Sequence, residues 1–369
     1  MVKRSKSSEV HMRTMLELNP CNGENVKLLN NNFLNLVPLI CALFVVLIHS
    51  YNVDISERNS VGAFIISFFL HGLCTAAVPT FFFVSGWLFY INADSIHVVI
   101  RKMKKRVFTV LLPFVAWSLI YYLFYLLGDF FIPQLNTDVD FSFLGVLRGI
   151  FFYEYVFPMW YMFQLCLFII IAPIVFYILK NKFISSIVLL STILIGMFIC
   201  SSVDITVAGL ERSIFQFNFF AYYFCGCWLS QLSNVTRKCK DYINKIPLFI
   251  PICLFVIFGF LQSLFFEGKI VSFNERCIVP FVFISFMVMM IKIYETKKKF
   301  LKINISTMII YGVHPMVGLL LGKLVFNYIN LPTIVSYVYS YILVSLISIG
   351  ISYFIKKLKP IYYVLGGNR

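Results

Sequence analysis

Ten apolar runs govern what this chain can become, near residues 33–53, 62–92, 107–128, 158–179, 183–203, 215–232, 247–266, 276–294, 303–327 and 331–355. A helix needs about 20 apolar residues to cross roughly 30 Å of hydrocarbon, so the runs predict an all-α, polytopic membrane bundle of about ten transmembrane helices. Composition closes the soluble alternative: 60% of the residues are hydrophobic and 13% charged, with a mean hydropathy of +0.88. Soluble domains are about half apolar and a quarter charged. The second run is too long for one straight helix, and Pro79 is expected to kink or break it. The stretch 141–152 is apolar but short, which suits a segment that lies along the interface or re-enters.

A net charge of +15 raises the question of nucleic acid. Position answers it. Of the 31 Lys and Arg, 25 fall in alternate connecting segments, at 1–32, 101–106, 180–182, 237–245, 292–302 and beyond 355, against 5 in the intervening ones and Lys323 within a run. That alternation is the positive-inside pattern, and it predicts both termini in the cytoplasm. The expected organisation is a polar cytoplasmic tail at 1–32, a membrane-embedded domain at 33–355 and a cytoplasmic tail at 356–369. No cleavage site follows the first run, so it reads as a retained span and not a signal peptide. All 16 acidic residues lie outside the runs. Ion-coupled transporters use intramembrane carboxylates as relays, so their absence weighs against that class. The 10 cysteines are scattered, and the spacing of Cys225-Gly226-Cys227 is too short for a zinc site. They read as small hydrophobes, and no metal is expected.

Few residues remain that can do chemistry. His49 stands near the end of the first run, in LFVVLIHSYNVD, where an ionisable group is expensive. A neutral imidazole there can take a proton from a hydroxyl; the bland alternative is an interfacial histidine bonded to a carbonyl. Ser85-Gly86, in VPTFFFVSGWLF, reads by itself as close packing through small residues. Lys105-Arg106 at the mouth of the third run are either topology markers or a clamp for phosphates. His314 precedes Pro315 deep in the ninth run, and a structural histidine serving the carbonyl that the proline frees competes evenly with a catalytic one. His71 reads as structural. Trp160-Tyr161 fit an interfacial aromatic belt. Glu154, in the longest outward loop, is placed to orient His49 or an acceptor hydroxyl.

Taken in order, these segments resemble the acyltransferase-3 family of integral-membrane O-acyltransferases. The resemblance rests on His49, on Pro79-Thr80-Phe81-Phe82-Phe83-Val84-Ser85-Gly86, and on Lys105-Arg106 before Pro113. It continues through Trp160-Tyr161 with Pro173, Gly226 in YYFCGCWL, and Tyr311-Gly312-Val313-His314-Pro315. It spans about 33–355. One departure stands out: the family's Arg, eleven positions before the histidine, is replaced by Pro38, and Asn35 stands where Asp is common.

The resemblance implies an acyl-CoA co-substrate, acetyl-CoA in the commonest case, used from the cytoplasmic side. It implies a hydroxyl of a surface polysaccharide or its lipid-linked precursor as acceptor, and a bacterial cytoplasmic membrane as the setting. His49 would deprotonate the acceptor or relay the acyl group, and Lys105 and Arg106 would hold donor phosphates. Ser85, Glu154 and His314 are candidates for acceptor contact or orientation. The chain leaves no room for an extracytoplasmic transferase domain, so the bundle is expected to complete the transfer alone. The competing reading is a glycan exporter of the same architecture without catalytic activity, which the missing Arg favours.

Overall fold

The computed structural model describes residues 31–50, 61–131, 139–199, 202–207, 210–265, 273–296, 305–324 and 332–367. The predicted tail at 1–32 therefore lies almost wholly outside the described residues. Helix α1 (Asn31–His49) is followed by α2 (Val61–Ser67), a π turn (Phe68–Gly72), a 3-10 turn (Leu73–Ala76) and α3 (Ala77–Tyr90). The long run is one continuous helical stretch, Val61–Tyr90, and not two separate helices; before Pro79 it changes only its winding. Proline cannot supply the N–H that the Thr75 carbonyl would receive. Next, α4 (Ile96–Arg106) runs through a π turn (Val107–Leu111) into α5 (Leu112–Phe131). Here Pro113 deprives the carbonyl of Thr109 in the same way.

The short stretch near 141–152 forms α6 (Phe143–Phe151). Ser142 caps it by accepting from the Gly145 N–H at 3.0 Å, the usual service of a serine at a helix start. The run at 158–179, expected as one span, is two helices, α7 (Trp160–Ile170) and α8 (Ala172–Lys180), bent by 58°. Pro173 sits in the first turn of α8, where its missing N–H is harmless but where α7 cannot continue through it. Helix α9 (Lys182–Leu194) leads by a further π turn into a β-hairpin, β1 (Ser202–Val207) and β2 (Leu210–Gln216), paired antiparallel. Hydropathy gave no sign of it. Its strands carry Val203, Ile205, Thr206 and Ile214, and Gln164 of α7 holds it in place. The Gln164 amide donates to the Ser213 and Ile214 carbonyls and accepts from the Gln216 N–H.

The remaining elements are α10 (Phe217–Ser230), α11 (Ser233–Lys245), α12 (Phe249–Leu264), α13 (Phe273–Thr296), α14 (Thr307–Leu324), α15 (Thr333–Ile355) and α16 (Lys359–Val364). Helix α11 turns 97° from α12 and carries Arg237, Lys238, Lys240 and Lys245, so α12 alone has the composition of a span. Among the described residues, five helical stretches are long and apolar enough to cross a membrane, and up to seven if each bent pair counts as one. Two shorter apolar helices, Leu36–His49 and Thr307–Gly322, belong to predicted runs that extend beyond the described residues. The all-helical membrane bundle expected from the runs is what the chain forms, with the one hairpin added.

Packing is tightest between α3 and α10. A side chain on Gly86 would collide with the Tyr223 carbonyl, and one on Gly226 with the Phe83 carbonyl. The two glycines thus let the backbones touch, as small residues do between helices in lipid. Around this contact, Phe82 packs against Trp160, Tyr161, Phe168 and Phe219. Tyr161 is accordingly a core residue and not part of an interfacial belt, being 5% exposed.

Candidate active site

Polar side chains gather at two levels along the α4–α5 rod. Arg106 ends α4, and Tyr121 lies fifteen residues further along the same helical path, about 22 Å at 1.5 Å per residue. At the Tyr121 level a cavity of about 510 Å³ opens, a size that suits a small-molecule or sugar ligand. His49 lines it from α1, Tyr121 and Tyr125 from α5, the segment from Glu154 to Pro158 from the connection after α6, and Pro315, Gly318 and Leu319 from α14. His49 and Glu154, separate in sequence, therefore face one space.

The cavity wall is built by local chemistry. Asp140 accepts from the Ser142 N–H at 2.8 Å, fixing the start of α6. That start aims Arg148, whose guanidinium meets Asp140 at 2.9 Å and Glu154 at 3.3 Å. The Ser142 N–H, then the Ser142 hydroxyl, with Arg148 contributing, hold the Asp140 carboxyl below the usual carboxylate range. Burial pushes the Tyr155 hydroxyl up. Between α6 and α7 the chain turns at Tyr153 with φ of 46°, a left-handed conformation uncommon away from glycine. Tyr153 is buried, and the Arg212 guanidinium of the hairpin covers its ring at 5.1 Å while donating to the Phe152 carbonyl. The hairpin thus clamps the segment that carries Glu154.

On the far side, α14 carries Pro315 within it, which leaves the Tyr311 carbonyl without its usual N–H partner. The Tyr121 hydroxyl meets the helix beside the proline, donating to the Gly312 carbonyl at 2.8 Å and accepting from the Met316 N–H at 2.9 Å. Such side-chain bonds support a helix where a proline removes one of its own. Gly312 also gives way to the ring of Trp117. Between them sits His314, 1% exposed, with Nδ1 at 3.3 Å from the Ile310 carbonyl. A carbonyl only accepts, so Nδ1 carries the hydrogen and Nε2 the lone pair. Nε2 is buried and has no hydrogen-bond partner among the described residues. The His314 ring stands 5.4 Å from the His49 ring, centroid to centroid, and 5.8 Å from the Tyr311 ring. Tyr311 in turn donates to the Pro158 carbonyl in the cavity wall.

Lys105, Arg106 and Ser85 do not line this cavity. Lys105 is exposed and Arg106 half-buried, while Lys102 is spent on structure, donating to the Phe89 and Ile91 carbonyls at the end of α3. Ser85 instead shares a 2.9 Å hydrogen bond with Tyr161, whose ring lies 6.1 Å from that of Tyr311. Sequence reasoning missed Tyr121, Tyr125, Tyr155 and Arg148. Arg148 alone left a trace, as one of the few basic residues outside the positive-inside set. Among the described residues no group of three or more His, Cys, Asp or Glu could hold a metal ion.

Comparison with known proteins gives the family. A family model described as an acyltransferase domain matches residues 31–357. No curated protein and no solved structure matches the chain. A match over nearly the whole chain, on a bundle of membrane-spanning helices, makes this a multi-pass membrane protein that belongs to the acyltransferase-3 family.

Proposed function

We propose that the protein moves an acyl group, acetyl in the first instance, from acyl-CoA on the cytoplasmic side to a hydroxyl of a surface polysaccharide or its lipid-linked precursor. The observation that carries this reading is His49 in one cavity with a carboxylate, Glu154, and the rings of Tyr125 and Tyr155, which stand 5.7 Å apart. Flat apolar faces beside a hydrogen-bonding carboxylate suit a sugar ring. His49 takes the proton of the acceptor hydroxyl, the oxygen attacks the thioester carbonyl, and a C–O ester bond forms as the C–S bond breaks. The leaving thiolate then takes the proton from His49, so the reaction is balanced within the site. A covalent acyl-histidine relay uses the same residue.

In this reading ten spans place both termini in the cytoplasm, and α1 runs outward. His49 lies sixteen residues above Phe33, about 24 Å along the helix. Arg106 and Lys105 hold donor phosphates through charge-assisted contacts, and they take over the anchoring that Pro38 cannot provide. The extended arm of the donor follows the hydroxyls of Tyr223, Tyr161 and Ser85 toward His49. Labelled acetyl-CoA given to inside-out membrane vesicles should yield base-labile label in the glycan fraction; absence of such label contradicts the reading. Cysteine probes at 56 and 270 should react from outside and those at 103 and 298 should not, and external labelling of 298 would break the topology. The second reading, a glycan exporter without catalytic activity, is favoured by Pro38 at the position of the family's Arg.

A further inference from the structure

We propose that His314 is a positioning residue that fixes the ring of His49 by accepting a hydrogen bond at Nε2. The inference rests on His49 being the base and supplies the partner that would set its tautomer.

His314 is held from behind. Its Nδ1 donates to the Ile310 carbonyl on its own helix, and the two nitrogens of an imidazole diverge, so Nε2 points away from α14. That atom is a buried acceptor without a partner among the described residues. A buried acceptor left unmet is costly, so a donor is expected to reach it in the working site. The His49 ring stands 5.4 Å from that of His314, tilted by 38°. Two imidazoles joined by an N–H···N bond of about 3 Å have centroids about 5 Å apart, so a small rotation of His49 completes the contact. His49 lines the open cavity and has room to make that rotation, whereas His314 is packed. The Tyr121 hydroxyl, bridging Gly312 and Met316 on either side of His314, ties this part of α14 to α5.

The consequence is chemical. Once one N–H of His49 is committed to His314, the other nitrogen must carry the lone pair and faces the cavity. It is this nitrogen that takes the acceptor proton and returns it to the thiolate. His314 itself neither gains nor loses a proton. An orienter behind a base is the logic of the serine-protease triad with a neutral acceptor in place of the carboxylate.

Two substitutions separate this role from simple packing. A glutamine at 314 can both donate to the Ile310 carbonyl and accept from His49, whereas phenylalanine fills the space and does neither. With the full chain in membrane vesicles and labelled acetyl-CoA as donor, His314→Phe should lower kcat about ten- to a hundredfold with the KM for acetyl-CoA unchanged. His314→Gln should keep most of the rate. If His314→Phe does not accumulate, His314→Met takes its place with the same expectation. A phenylalanine or methionine protein at wild-type kcat, or a glutamine protein as slow as the phenylalanine one, overturns the proposal while His49 stays essential. A His49→Gln protein that still transfers label removes the base itself, and the proposal falls with the reading beneath it.

Discussion

At the α4 end of the bundle, five basic residues crowd positions 101–106, and Lys105 lies in solvent. At the cavity end the ionisable groups are fewer: Arg148 is held between Asp140 and Glu154, His314 on the Ile310 carbonyl, and the His49 ring stands beside that of His314. Exposed cations on a helix are cheap and explain themselves as topology signals. Buried polar groups in lipid are expensive and survive only with partners or a task. The contrast supports placing the proposed chemistry at the cavity end and, in that proposal, donor capture at the other; Lys102 shows that a basic residue in the same cluster can serve the backbone alone.

The largest effect tests the cavity end. His49→Gln keeps hydrogen bonding but cannot take a proton, and loss of a general base costs 10²- to 10⁴-fold in rate. Transfer should fall below detection in labelled-donor assays while the protein accumulates normally. A variant at near wild-type rate would collapse the distinction between the two ends.

The next effect tests the α4 end. Lys105→Ala with Arg106→Ala should raise the apparent KM for acetyl-CoA with kcat little changed, because contacts to charged groups contribute roughly 1.5–3 kcal/mol each. Arg106, which is half-buried, should carry most of it, since an exposed pair is worth much less. Unchanged donor KM would reduce the cluster to a topology signal.

Tyr121→Phe should act on the fold of the site. It removes the hydroxyl that bridges the Gly312 carbonyl and the Met316 N–H inside the bundle, a loss of roughly 1 kcal/mol. A lowered thermal midpoint in detergent, with donor KM preserved, is the expected result; an unshifted midpoint would mean that the two backbone groups are served without it.

The smallest effect is at the rim. The folded Asp140 carboxyl titrates below its unfolded value, so its support for α6 is present above the ordinary carboxylate range, near 3.9, and is lost only as pH falls through the lower folded value. Protease cleavage around α6 should be the same at pH 7 and pH 5. Asp140→Asn should loosen the segment slightly at both, and a cleavage rate that rises already at pH 5 would show that the clamp is not formed.

Hydropathy and basic residues revealed the bundle because lipid imposes length and charge rules on each run separately. The irregularities were partly legible: Pro79 pointed to the change of winding before it, whereas Pro173 was noticed as a motif and not as the end of α7. The hairpin escaped because its anchor, Gln164, is a single polar residue about fifty positions away. His49 was legible as a costly imidazole near a helix end, and Glu154 as an acid in the adjoining loop. The Tyr121 wedge was not, since its partners lie 191 and 195 residues away and a tyrosine in an apolar run looks like lipid-facing surface. Tyr161, read as belt, proved to be core for the same reason.

The most direct test of the central claim is mass spectrometry of surface glycans from cells that carry the wild-type chain, the His49→Gln chain or no chain. The account predicts glycan of unchanged amount in all three, with acyl mass increments present only with the wild-type chain. Glycan lost from the surface without the chain, or acyl groups retained with His49→Gln, would contradict it.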